Sequence, residues 1–134
     1  MPTLKPDKSW EKALACAQAA LDKKAYDLVI LEIGSLSSVG DYFVICTGRS
    51  DVQVQSISRA VEEGAAKIGV RPLAIEGFTH GQWVLIDFGD VVVHIFYETV
   101  REFYNLEGLW KQAARCALPE PYSSQAQHLR IANA

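Results

Sequence analysis

The stretch Gln82-Trp-Val-Leu-Ile-Asp-Phe-Gly-Asp-Val-Val-Val-His-Ile-Phe96 decides the fold. Two runs rich in Val, Ile, Phe and Trp flank Phe88-Gly89-Asp90. Such residues favour a pleated, half-buried surface, and a short glycine-containing turn between two of these runs is the signature of antiparallel pairing. The reading is a buried hairpin whose alternation puts Trp83, Leu85 and Asp87 on one face. Asp87 and His94 occupy strand interiors, where a purely structural strand needs no polar group. The functional question therefore starts here, with Asp87, Asp90 and His94 as either chemistry or architecture and docking surface.

On the N-terminal side of the hairpin, Asp7 or Ser9 caps a first helix with Trp10, Leu14, Ala17 and Leu21 on its apolar face, ending at Lys23-Lys24. Leu28 to Ile33 reads as a strand, Gly34 to Gly40 as a Ser-rich loop, and Asp41 to Thr47 as a second, more fully buried strand. Ser50 with Gln53 forms a capping-box pattern. It opens a helix whose face is Val54, Ile57, Val61, Ala65 and Ile68, stopped by Gly69. Arg71 to Ile75 is a short third strand before the loop Glu76 to Gly81. Beyond the hairpin, Thr99 with Glu102 starts a short helical turn. Asn105 then caps a final helix through Leu106, Leu109, Trp110, Ala113 and Ala117, ended by Pro119 and Pro121.

The order αββαββα defines an α/β domain, a mixed five-stranded sheet with helices packed on its faces. One domain is expected over residues 1–118, followed by a polar tail without structure over 119–134. The length of 134 residues, 49% of them hydrophobic and 22% charged, is ample for one core. No window approaches the roughly 18 consecutive apolar residues of a membrane span, and the N-terminus has no apolar secretion core, so a cytoplasmic protein is expected. Cys16, Cys46 and Cys116 are far apart, each in an apolar pattern, and read as small core residues of a reducing compartment. A net charge of −3 without a basic block argues against direct nucleic-acid binding. Any work near nucleic acid is expected to go through a protein.

The segments Asp41-Tyr-Phe-Val-Ile-Cys-Thr-Gly48-x-Ser50, Glu76-Gly77, Gly81-x-Trp83 through Asp87-x-Gly89-Asp90 to His94, and Phe103-Tyr104-x-Leu106-Glu107-x-Leu109-Trp110 closely resemble the ribosomal silencing factor family, also called Iojap-like. The resemblance runs in order over roughly residues 10–117. It implies a nucleotidyltransferase-like fold without demonstrated nucleotidyl transfer. It also implies a translation repressor that binds the fourteenth protein of the large ribosomal subunit at the intersubunit face and keeps the small subunit from joining. No cofactor is implied.

Read for catalysis, the residues fit poorly. A nucleotidyltransferase holds its triphosphate on a Gly-Ser turn and sets two carboxylates two residues apart on one strand, so that both reach shared Mg²⁺ ions. Thr47-Gly48-Arg49-Ser50 imitates the turn, at a helix start that favours anions. Asp87 and Asp90, however, are separated by the hairpin turn at Gly89. Neither a catalytic group nor a metal site is expected: His80 and His94 have no Cys nearby. The competing readings are a nucleotide-binding enzyme of nucleotidyltransferase type and an adaptor for assembly of the large subunit.

The plain expectations are that Asp90 satisfies the hairpin turn through its side chain, that His94 is hydrogen-bonded to a neighbour such as Asp87, and that Asp41 caps its strand. The candidate partner-binding residues are Trp83, Asp87, Asp90, His94, Tyr42, Tyr97 and Tyr104. Trp83 leads because an exposed tryptophan at a loop-to-strand junction supplies much of the energy of an interface, although a core position is an equal reading. An apolar and aromatic patch around Trp83, Phe88 and Tyr97 would also favour a homodimer when the partner is absent.

Overall fold

The computed structural model describes residues 6–124. In chain order the elements are α1 (Pro6–Asp22), β1 (Tyr26–Glu32), β2 (Tyr42–Gly48), α2 (Asp51–Lys67), β3 (Ala74–Glu76), β4 (Trp83–Asp87), β5 (Val91–Tyr97), α3 (Glu98–Tyr104), α4 (Leu106–Leu109) and β6 (Ala114–Arg115). The strands form one mixed sheet in the order β3-β4-β5-β2-β1-β6. Its central pair, β2 with β5, is parallel, and every other pairing is antiparallel. No helix among the described residues is long and apolar enough to cross a membrane.

The expected hairpin forms, pairing Trp83 with Phe96, Leu85 with His94 and Asp87 with Val92. Paired residues project to the same side, and the register carries that side onward through Phe43 and Ile45 of β2 to Leu31 of β1. Val84, Ile86, Val93, Ile95, Val44 and Cys46 point the other way. They pack against Ala13, Cys16, Ala17 and Ala20 of α1 and Val54, Ile57, Val61 and Ala65 of α2 in one buried cluster. The side chains of α1 there are small, and Gly64 lets the two helices close up: a β-carbon on it would stand 2.9 Å from that of Ala19. The expected face of α1 is thus displaced. Leu21 and Ala17 are buried, while Trp10 and Leu14 pack only at the cluster's margin.

Both long helices lie on this one face. Among the described residues the other carries only α3, α4 and the segment that follows, whose Leu106 and Ala113 cover Leu31, Ile33, Phe43, Ile45, Val92 and Phe96. Burying an aliphatic or aromatic side chain fully stabilises by about 1.5–3 kcal/mol, so each face contributes substantially, but they are differently finished. The helix-covered face is closed and the opposite face is only partly roofed.

Helix α2 follows its signals. Ser50 Oγ accepts from the Gln53 amide at 3.0 Å, Gln53 Oε1 accepts from Arg49 N at 2.6 Å, and Gly69 ends the helix with φ +76°. The C-terminal part differs from expectation. In place of a helix from Asn105 to Ala117 there is a single turn, Leu106–Leu109, and then a sixth strand, in which Leu31 pairs with Arg115 and Cys116 N donates to Ile30 O at 2.8 Å. Asn105 adopts a left-handed conformation, φ 47°, ending α3 without a side-chain cap to α4. The physical reason is the free edge of β1, whose backbone groups gain a ladder partner that a helix would not supply. Cys16 and Cys46 are core residues, and burial pushes both thiols up to about 12. Cys116 is only half-buried beside the edge strand. Residues 119–124, expected to lack structure, include a helical turn in which Ser123 N donates to Pro119 O, and Tyr122 packs at the core's margin. The rest of the expected tail, 125–134, lies outside the described residues.

Candidate functional site

The partly roofed face centres on Trp83. Its ring lies 4.8 Å from Phe96 at an interplanar angle of 30° and 4.8 Å from Tyr104 at 47°. The indole Nε1–H donates to His94 Nδ1 at 3.1 Å. Trp83 is half-buried.

His94 is 3% exposed among Val92, Ile95 and Phe96, with Phe43 set edge-on at 4.7 Å. Burial pushes its pKa down to about 4, so the ring is neutral at physiological pH. Since Nδ1 accepts, the proton sits on Nε2, which has no hydrogen-bond partner. The expected bond to Asp87 is not made. Asp87 lies opposite Val92, one pair further along the ladder, and His94 meets Trp83 instead.

Neither aspartate has the role expected of it. Asp87 Oδ1 accepts from Gly89 N at 2.8 Å and thereby closes the hairpin turn, the job assigned to Asp90. Asp90 turns toward α1, where Lys12 Nζ donates to Oδ1 at 2.6 Å and Ser9 Oγ lies 2.8 Å from Oδ2. The reason is placement: Asp90 stands beside the first turns of α1, within reach of a lysine and a hydroxyl. Burial pushes the Asp90 carboxyl up, but the bonds from Lys12 and Ser9 outweigh it and leave it lowered. Asp41 Oδ2 also lies 2.8 Å from Ser9 Oγ, so its side chain ties β2 to α1. Both hairpin carboxylates are held by separate structural contacts. Among the described residues, no group of three or more His, Cys, Asp or Glu side chains could hold a metal ion.

Of the remaining candidates, only Tyr104 joins Trp83. Tyr42 and Tyr97 project to the helix-covered side, Tyr42 against Trp10 with ring centroids 5.4 Å apart. The candidate set omits two contributors to the patch. Phe103 is 80% exposed and meets Tyr104 edge-on at 5.1 Å, and Leu85 is half-buried between Trp83 and Asp87. The available signal was the adjacent pair Phe103-Tyr104, which a short amphipathic helix cannot bury together. Indeed α3 contains no buried residue.

Helix α3 is nonetheless firmly placed. Arg101 Nη1 donates to the Asp27 carbonyl and to Thr47 Oγ1, each at 2.7 Å, and its Nε and Nη2 donate to the two oxygens of Glu107. Burial pushes the Glu107 carboxyl up, while the Arg101 guanidinium more than reverses this and holds it lowered. Tyr26 hydrogen-bonds Glu98 at the start of the same helix. Phe103, Tyr104 and Leu109 are therefore exposed on a segment braced to β1 and β2.

Fold and site together define an open mixed α/β sheet with one helix-covered face and one face presenting a braced aromatic cluster. The family model described as "Ribosomal silencing factor during starvation" matches residues 6–133. The chain belongs to the ribosomal silencing factor family. It is 47% identical over 97 residues to the ribosomal silencing factor RsfS of Bacillus subtilis, covering 72% of this chain and 82% of that protein. It is 36% identical over 121 residues to the chloroplastic Iojap protein of Zea mays, covering 88% of this chain and 53% of the plant protein. A crystal structure of a Chromobacterium violaceum protein matches with a TM-score of 0.75 at 32% identity, covering 85% of this chain and 96% of the other.

Proposed function

We propose that this protein represses translation by binding the large ribosomal subunit through its fourteenth protein, at the intersubunit face, so that the small subunit cannot join. It works in the cytoplasm, without catalysis and without direct sequence-specific contact to nucleic acid. Family membership supports the ribosomal setting. The observation that carries the docking mode is the cluster in which the half-buried Trp83 of β4 meets Tyr104, which with Phe103 faces solvent from a helix held by Arg101. Rigid aromatic anchors on a braced support are what a high-energy interface core needs. Asp87, at the same strand's end, contributes a polar rim, and the same patch pairs two copies when the ribosome is absent.

Trp83→Ala tests the reading. Co-sedimentation with purified large subunits is expected to weaken by ten- to a hundred-fold, a loss of about 1.4–3 kcal/mol that is usual for a hot-spot aromatic. A subunit-joining assay is expected to show inhibition by the unmodified protein and relief by the variant. Undiminished co-sedimentation of Trp83→Ala would remove Trp83 from the interface, and failure of the unmodified protein to bind large subunits would defeat the reading altogether.

A further inference from the structure

We propose that His94 is a positioning residue for docking, holding the Trp83 indole in one of its two flip states by accepting its N–H. The inference rests on the reading of Trp83 as an interface anchor. Stacking on Phe96 and contact with Tyr104 are made by the faces of the ring, and neither contact supplies an acceptor for the N–H at its edge. The N–H is the one polar feature that tells the edges apart, because indole nitrogen is a donor only and needs an acceptor when buried. His94 Nδ1, at 3.1 Å, is that acceptor.

The histidine is costly where it stands. Its neighbours across the sheet are Leu85 and Ile45, its neighbours along the strand are Val93 and Ile95, and its Nε2–H is buried without a partner. An aliphatic residue would pack there with no orphaned donor and no charge to suppress. What an aliphatic residue lacks is the acceptor. The stability given up at position 94 is thus matched to a single gain, a fixed edge of Trp83 toward the partner.

The test uses the ¹⁵N-labelled full chain, with His94→Leu, His94→Asn and Trp83→Ala as variants and purified large subunits as the probe. The indole N–H resonance of Trp83, identified by its loss in Trp83→Ala, reports the hydrogen bond, and co-sedimentation reports docking. In His94→Leu the resonance is expected to move and affinity to fall about tenfold. His94→Asn, whose carbonyl oxygen stands near the place of Nδ1, is expected to recover affinity to within about threefold. If His94→Leu fails to fold, His94→Asn is compared with His94→Gln, whose acceptor reaches the place of Nε2 instead. Asn binding at least severalfold tighter then supports the role, and equal binding overturns it. Unchanged affinity of His94→Leu with a displaced resonance overturns the positioning role alone when Trp83→Ala is impaired. Unimpaired Trp83→Ala overturns both the role and the reading beneath it.

Discussion

Asp87, Asp90 and His94 show how polar residues within one hairpin serve different ends according to what the fold brings beside them. Asp87 meets its own turn, Asp90 meets a helix from the other end of the chain, and His94 meets an indole across the ladder. Only the first of these partners is local, and only local partners are legible from spacing. The sequence marked all three positions as unusual, and the long-range neighbours Ser9 and Lys12 carried no signal that could have assigned Asp90. His94 also makes stability depend on pH. Its folded pKa of about 4 lies below the ordinary 6.5, so the unfolded chain takes up a proton that the folded chain refuses. Its contribution is present above pH 6.5 and is lost as pH falls toward 4, by about 3 kcal/mol in all. Urea unfolding followed across that interval is expected to show the midpoint falling in the unmodified protein. In His94→Leu the fall should be much smaller, leaving what the carboxylates add at its acid end.

Elements with closed local signals formed as read. Helix α2 has its capping box and terminal glycine, and the hairpin has its two β-rich runs and a turn glycine with φ +95°. The stretch after Asn105 misled because Leu106, Trp110 and Ala113 recur at helical spacing, yet they pack over one sheet face from a turn and an irregular segment. Their periodicity reflects burial against a surface, and the edge of β1 that captures Ala114–Arg115 cannot be seen from that stretch. The placement of Trp83 likewise depends on a loop. Gln55 Nε2 donates to the carbonyls of Phe78 and Thr79 at 2.8 and 3.1 Å, tying the segment before β4 to α2. Gly77 has φ +84°, and a β-carbon there would overlap the Trp83 carbonyl oxygen. Gly77→Ala combines left-handed strain with that overlap and is expected to destabilise by about 2 kcal/mol or more. Chemical denaturation measures it, and a loss below about 0.5 kcal/mol would contradict this account of the loop.

The molecule as a whole is asymmetric across its sheet. Two long helices close one side, and the other leaves Phe103 and Tyr104 to solvent beside Trp83. Contiguous exposed apolar surface on a soluble domain invites association. Light scattering at micromolar concentration is expected to give twice the chain mass, returning toward the single-chain mass in Phe103→Ser/Tyr104→Ser; monomer alone in the unmodified protein would refute self-pairing. The parallel pairing of β2 with β5 has a separate consequence for how the chain comes into being. All of α2, β3 and β4 lie between these two strands, so the middle of the sheet is a long-range contact that begins with Tyr42 against Val91. During synthesis, Tyr42–Gly48 waits with an unmatched edge until Val91–Tyr97 has emerged, and a nascent chain halted before that point holds only the β1–β2 and β3–β4 pairs with α1 and α2, and no strand to join the two pairs. The commitment to fold thus comes late, when some two-thirds of the chain has already been made.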